Sequence, residues 1–385
     1  MFLGIMLILV VSALYDPCLL ARKMIGTKKK VWPLQLLALF LLLGYFAVVA
    51  TGFNTRPSLI AAFLFDFLGL FFIFYVYLFF CLRVVQIVWL AGWLLSSAKR
   101  KKGGRTFFTG SFGGGKAAVG CLALCLLLVL YGAVRARSFE VTEYEIALPG
   151  ITGEVKFMHL PDLHLGPARG AAYLESVLEA VKAQKPDIIW YNGDMVDGRI
   201  ALRDEIFDQF KELDGEQYFT TGNHEYYVGV DDVVKAVAAA GIRVLRSELV
   251  ETHGIQFAGM EYMNADRTSA DSHQVNRLNM EEELPRVAKR DGPPVVLVHH
   301  SPVGMKYVAQ YGARAMLAGH THGGQVFPGT VIIKSRFPMY KGRYETDGMT
   351  LLVSQGVGTF GPMIRLGTSN ELQVVRFVPA GPSGQ

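Results

Sequence analysis

Apolar residues crowd the first third of the chain too densely for a soluble domain, whereas from residue 138 onward they recur in short runs divided by polar segments. Four stretches, 2–20, 31–53, 59–82 and 117–134, approach or exceed the roughly 20 apolar residues that cross a hydrocarbon core. The pattern predicts an all-α transmembrane region over residues 1–137 with about four helices. The first stretch is expected to remain as an anchor, because it lacks a basic start and a small-x-small cleavage site and is followed by further spans. Residues 84–97 form another apolar segment, short for a span, which reads as a continuation of the third helix or as an interfacial stretch. Asp66, inside the third span, is expected to make an interhelical hydrogen bond rather than to serve as a proton or headgroup site.

From 138 to 379 the periodicity changes to that of one globular domain, with 380–385 as a tail. Glu154–Leu160, Asp187–Tyr191 and Gln217–Thr221 read as strands, and 171–184, 201–213 and 231–240 as helices, the first of these placing Leu174, Val177, Leu178 and Val181 on one face. This alternation predicts a layered α/β architecture with a largely parallel sheet. Later runs at 256–259, 295–298, 315–318, 331–333, 351–354 and 372–377, with few helices between them, predict a second sheet packed on the first.

Composition and charge narrow the function classes. The four cysteines, Cys18, Cys81, Cys121 and Cys125, all lie in the apolar part, so the globular half has neither a disulfide framework nor a cysteine-held zinc site. The net charge of +5 comes with Lys/Arg clusters at Arg22, Lys23 and Lys28–Lys30 and again at Lys99–Lys102 and Arg105. These clusters flank spans, so topology and anionic headgroups explain them and no nucleic-acid partner is expected. They place two loops in the cytoplasm and the globular domain outside; Arg135 and Arg137 argue the other way, and a fifth span over 84–97 would reverse the placement. Gly110–Lys116 has phosphate-loop spacing, but Ala117 stands where Ser or Thr would bind magnesium and no strand precedes it.

The chemistry concentrates where hydrophobic runs end. Asp162 and His164 follow the first run, Asp194 the second, Asn223 the third, His300 the run at 295–298, and His320 with His322 the run at 315–318. Each alone could cap a turn or sit satisfied in a core. Together, seven oxygen and imidazole donors at five strand ends suit two adjacent divalent metals with positions left for water and a phosphate oxygen. The set points to hydrolysis of phosphate esters. The mixed Asp, Asn and His donors, without thiolate, suit manganese, iron or zinc.

The series Asp-x-His, Gly-Asp, Gly-Asn-His-Glu, His-x-Pro and Gly-His-Thr-His-Gly-Gly-Gln resembles the calcineurin-like metallophosphoesterase superfamily, in particular its membrane-anchored bacterial YkuE/YaeI-type branch, over roughly residues 139–379. Two departures are Pro161, where the branch usually has Ser, and the His299-His300 doublet, whose spacing to Pro302 favours His300. The resemblance implies a four-layer α/β/β/α sandwich. It implies one metal held by Asp162, His164, Asp194 and His322 and another by Asp194, Asn223, His300 and His320, with a bridging hydroxide attacking phosphorus. His224 would then be a catalytic group that protonates or stabilises the leaving oxygen rather than a ligand. Asp197 and Glu225 are expected to orient ligands or form turns, and Arg365 to pair with substrate phosphate or to make a surface salt bridge. The expected partners are a phosphate-ester substrate, a phosphodiester of a lipid or nucleotide-linked lipid, and the bilayer. The alternative is a non-catalytic metal-containing membrane sensor or scaffold, which would need no proton donor beside its metals.

Overall fold

The computed structural model describes residues 8–17, 32–51, 59–97, 115–268, 275–287 and 291–381. The basic loops at 22–30 and 99–105, Cys18, residues 110–114 of the phosphate-loop-like stretch, and residues 382–385 of the tail lie outside these. The chain divides into two compact units, one of Met1–Asn54 with Ala62–Ala133 and one of Thr55–Ala61 with Val134–Gln385.

In the N-terminal unit three helices, Trp32–Ala50, Ile60–Gly92 and Lys116–Arg135, are long and apolar enough to cross a membrane; Ile8–Pro17 is apolar but shorter. The middle one belongs to an unbroken helix from Leu59 to Ser97, so residues 84–97 continue it. Buried Asp16 pairs with Arg83, and the Ser12 hydroxyl lies 3.0 Å from that of Tyr75, which ties the first helix to the long one through polar groups. Asp66 lies half-buried in the long helix.

Among its described residues the second unit holds twelve strands, in chain order β1 (Phe139–Leu148), β2 (Val155–His159), β3 (Ile188–Asn192), β4 (Glu216–Thr220), β5 (Arg243–Val244), β6 (Glu248–Thr252), β7 (Ile255–Gly259), β8 (Val295–Val298), β9 (Ala315–Ala318), β10 (Gly342–Thr346), β11 (Met349–Val353) and β12 (Asn370–Pro379). They form two sheets of six, ordered β1-β12-β2-β3-β4-β5 and β10-β11-β9-β8-β7-β6. The interior of each sheet is mostly parallel, with β12 antiparallel to β2 as the exception in the first.

Alternation of side chains explains the layers, because successive residues of a strand point to opposite faces. Phe157 and Trp190 face the second sheet, where they meet Phe257, Val296 and Leu317. Met158, Ile189 and Tyr191 face outward onto helix Ala171–Gln184 through Leu174, Val177, Leu178 and Val181, and onto helix Val230–Ala239. Val295 and Leu297 pack outward against helices Met280–Val287 and Met305–Tyr311. The result is a four-layer α/β/β/α sandwich whose central strands are apolar on both faces. Phe157 stacks on Phe257 with centroids 5.3 Å apart and meets Phe377 edge-on at 5.7 Å, joining the sheets at their centre.

Three expectations are corrected, and one strand was not foreseen. Residues 331–333 lie in a helix, Gly329–Arg336, that starts directly after Pro328. Pro at a helix start is favourable, and no sheet edge recruits this β-branched run. The helix expected over 201–213 is broken into short turns from Arg199 to Glu212, because Arg203 is extended (φ −91°, ψ 141°). Residues 372–377 belong to the first sheet, between β1 and β2, rather than to the second. The segment 139–148, given no element from its pattern, is an edge strand paired in parallel with β12; its charged outward positions hid the alternation.

Candidate metal centre

Five parallel strands, β2, β3 and β4 of the first sheet and β8 and β9 of the second, end on the same side of the sandwich, and the loops leaving them carry every expected donor. The turns are tight enough that Asp162, His164, Asp194, His320 and His322 all adopt positive φ, between 50° and 70°. Non-glycine residues rarely do so, and such backbone persists where the surrounding structure over-determines it. Two glycines permit the crowding. A Cβ at Gly193, itself at φ +75°, would stand 2.6 Å from His300 Nδ1, and one at Gly222 would run into Asp194.

The side chains converge. His164 Nε2 lies 2.9 Å from His322 Nε2, and these atoms lie 3.8 and 3.4 Å from Asp162 Oδ1. Asp194 Oδ2 stands 3.1 Å from His300 Nε2, 3.8 Å from His224 Nε2 and 3.9 Å from His164 Nε2. The rings of His300 and His320 are 5.1 Å apart. Three overlapping groups, Asp162 with His164 and His322, His164 with Asp194 and His224, and Asp194 with His300 and His320, have geometry able to hold a metal ion. Asn223 sits buried at the start of helix Asn223–Val228, one residue before His224, whose backbone N–H donates to Asp194 Oδ1 at 2.9 Å.

The donor set fits a cation. Asp162 Oδ1 and Asn223 Oδ1 are buried with no hydrogen-bond partner, and a buried lone pair left unmet is costly. The His299-His300 doublet resolves by geometry: His300 points at Asp194, while His299 spends both ring nitrogens on Ser301 O (2.7 Å) and Met263 N–H (3.2 Å). His300 Nδ1 donates to Asn192 O at 2.7 Å, which fixes the tautomer that leaves Nε2 for a ligand.

Charge around the centre follows from burial and neighbours. Burial alone would raise Asp194, but the imidazoles of His300 and His224 hold it well below the usual carboxylate range. Burial would lower His300 and His224, yet facing carboxylates prevail: Asp194 and Asp162 push His300 up to about 9, and Asp194 and Asp197 push His224 up to about 10. His322 goes the other way, held well below its ordinary value by burial and the nearby His164 and Arg365.

The supporting shell is clear. Asp197 Oδ1 accepts from His164 Nδ1 at 2.5 Å and from His224 Nδ1 at 2.8 Å. Glu225, fully buried, accepts the backbone N–H groups of Gly222 (2.6 Å), Asp194 (2.9 Å) and Met195 (2.7 Å), so it pins the loop that carries Asp194. Arg365 meets neither expectation. It is buried, with its guanidinium bonded to the carbonyls of His322 (2.9 Å), Gln355 (2.7 Å), Gly356 and Gly358 and to Asn370, which leaves no fork for substrate. Arg169 was missed. It is buried, donates to His164 O at 2.8 Å and to Thr359, and pairs with Asp197 at 3.0 Å. The one available signal was its place in the same loop as His164.

The sequence profile of the calcineurin-like phosphoesterase family matches residues 155–324, the segment that carries all seven expected ligands. An uncharacterized metallophosphoesterase of Aquifex aeolicus (strain VF5) is 32% identical over 267 residues, covering 67% of this chain and 99% of the relative. The chain belongs to the calcineurin-like metallophosphoesterases. It is a metal-dependent phosphoesterase, a hydrolase of ester bonds, in a family that uses divalent metals. A transmembrane protein with metallophosphoesterase domain of Danio rerio is 28% identical over 375 residues, 91% of this metallophosphoesterase and 82% of the relative, so the likeness extends into the apolar helices. Uncharacterized metallophosphoesterase YkuE of Bacillus subtilis (strain 168) is 25% identical over 243 residues, 59% of this chain and 82% of its own length.

Proposed function

We propose that this chain is a multi-pass membrane phosphoesterase with two metals that hydrolyses a phosphodiester of a lipid or nucleotide-linked lipid, its catalytic domain on the extracytoplasmic side. The observation that carries the reading is the ring of imidazole nitrogens around Asp162 and Asp194, with Asp162 Oδ1 and Asn223 Oδ1 buried and unmet beside it. Asp162, His164, Asp194 and His322 would hold one ion; Asp194, Asn223, His300 and His320 would hold the other. Asp194, whose Oδ2 faces His164, His224 and His300, would be the ligand common to both. Bound metals supply positive charge to the phosphate oxygens and acidify water for attack on phosphorus.

His224 supplies what the metals do not. Its Nδ1 is held by Asp197 at 2.8 Å, and in the metal-free site the carboxylates of Asp194 and Asp197, against the effect of burial, push it up to about 10. The ring is partly exposed, so the proton on Nε2 is placed to pass to a leaving oxygen. A metal-containing sensor would have no use for such a group. Manganese, iron and zinc all suit a shell of Asp, Asn and His.

The test compares the full chain on bis(p-nitrophenyl) phosphate and p-nitrophenyl phosphate, with manganese or with chelator. The reading expects faster cleavage of the diester, abolished by chelation. Chelator-resistant turnover, or a clear monoester preference, contradicts it.

A further inference from the structure

Helix Gly329–Arg336 buries none of its residues, although its sequence is rich in β-branched apolar side chains. Val331 and Ile332 stand 61% and 55% exposed, Phe327 just before them 55%, and Phe360, from a different loop, 58%. Isolated exposed apolar side chains are ordinary; neighbours of this size on one surface mark a contact. An eight-residue helix is not stable on propensity alone, and Gly329, Thr330 and Ile333 are only half-buried, so its exposed apolar side chains call for a covering medium.

The patch adjoins the metal centre. The Gln325 side chain clamps Phe360, accepting from its N–H and donating to its carbonyl at 2.8 Å each, while the Phe360 ring lies 5.7 Å from His224 and 6.3 Å from His164. At the other end of the helix, Phe337 meets His320 edge-on at 5.7 Å. Beside it Arg336 and Phe337 line a cavity of about 350 Å³ together with Val303, Met305, Pro338 and Met339.

Two further facts select the occupant. No acidic residue occurs between Gln325 and Lys341, whereas Lys334 and Arg336 are exposed on the helix, which suits anionic headgroups. The last apolar helix, long enough to cross a membrane, ends at Arg135 and β1 begins at Phe139, so at most about 14 Å of chain joins the two.

Resting on the phosphoesterase reading above, we infer that Phe327, Val331, Ile332 and Phe360 form an apolar lip that enters the lipid surface, so that a phosphate ester of an amphiphile moves sideways from the bilayer into the metal centre. The lip supplies apolar area, and Lys334 and Arg336 hold it against phosphates at the surface.

An environment-sensitive fluorophore on Ile332→Cys, and separately on Val331→Cys, reads the lip in full-length chain embedded in nanodiscs of phosphatidylcholine and phosphatidylglycerol. Glu175→Cys, on an exposed position of helix Ala171–Gln184, is the control. The inference expects blue-shifted emission and severalfold stronger quenching by doxyl-labelled lipid at both lip positions than at the control. Lip probes quenched by aqueous iodide and untouched by doxyl lipid overturn it. Protection that persists in detergent and grows with protein concentration assigns the patch to a second copy and overturns it equally. Turnover of bis(p-nitrophenyl) phosphate by the wild type in the same nanodiscs reads the hydrolase assignment separately: its absence removes that reading, whereas a failed lip leaves turnover intact.

Discussion

Asp197 holds two imidazoles with one oxygen: that of His164, whose Nε2 faces Asp162 and Asp194, and that of His224, the proposed proton donor. The two histidines therefore fail differently. His224→Ala should keep its metals and lose roughly a hundredfold or more in turnover, checked by elemental analysis beside kinetics. Asp197→Asn should instead weaken metal affinity by roughly 10–100-fold, because it frees the His164 ring to rotate, and added metal should rescue part of its activity. Proton accounting gives a third expectation. In the metal-free chain His300 titrates at about 9 and must lose its proton to become a ligand. Below that pH, metal uptake should release a proton into weakly buffered solution, and apparent affinity should climb as pH rises from 7 toward 9. Affinity independent of pH across that range would contradict a His300 that is protonated in the metal-free site. The seven donors were legible because each stands where a hydrophobic run stops, in a short motif that needs no knowledge of the fold. Arg169 and Arg365 were not, because their partners arrive from loops remote in sequence: Arg169 reaches Thr359 across 190 positions, and no local pattern encodes that meeting.

At the scale of elements, the strands buried on both faces were readable and the exposed ones were not. β2, β3, β4, β8 and β9 are short apolar runs ending in turn residues, and their carboxyl ends build the centre. β1 carries Glu140, Thr142, Glu143 and Glu145, so its pattern resembles a polar loop until β12 pairs with it. Which sheet β12 joins is decided by contacts with β1 and β2, far earlier in the chain. The helix at Gly329–Arg336 was misread because β-branched residues favour strands only where a sheet is present to receive them. The join between the sheets is testable through Phe157, fully buried among Trp190, Phe257 and Phe377. Phe157→Ala should cost about 3–5 kcal/mol by denaturant unfolding of the detergent-solubilised chain, because the cavity is walled by aromatic rings that cannot collapse into it. A loss below about 1 kcal/mol would show that this cluster does not hold the sheets together.

For the molecule as a whole, an apolar region with helices long enough for a membrane is joined, through three residues after Arg135, to a domain whose strand ends gather Asp and His side chains able to hold a cation. The claim on which the account rests is that Asp194 is shared between two cations. Elemental analysis of the purified full-length chain, beside Asp194→Asn under the same metal supply, tests it most directly. The account predicts about two transition-metal ions per wild-type chain and loss of both, with activity, in the variant. One ion or fewer in the wild type, or two ions retained in Asp194→Asn, would contradict it.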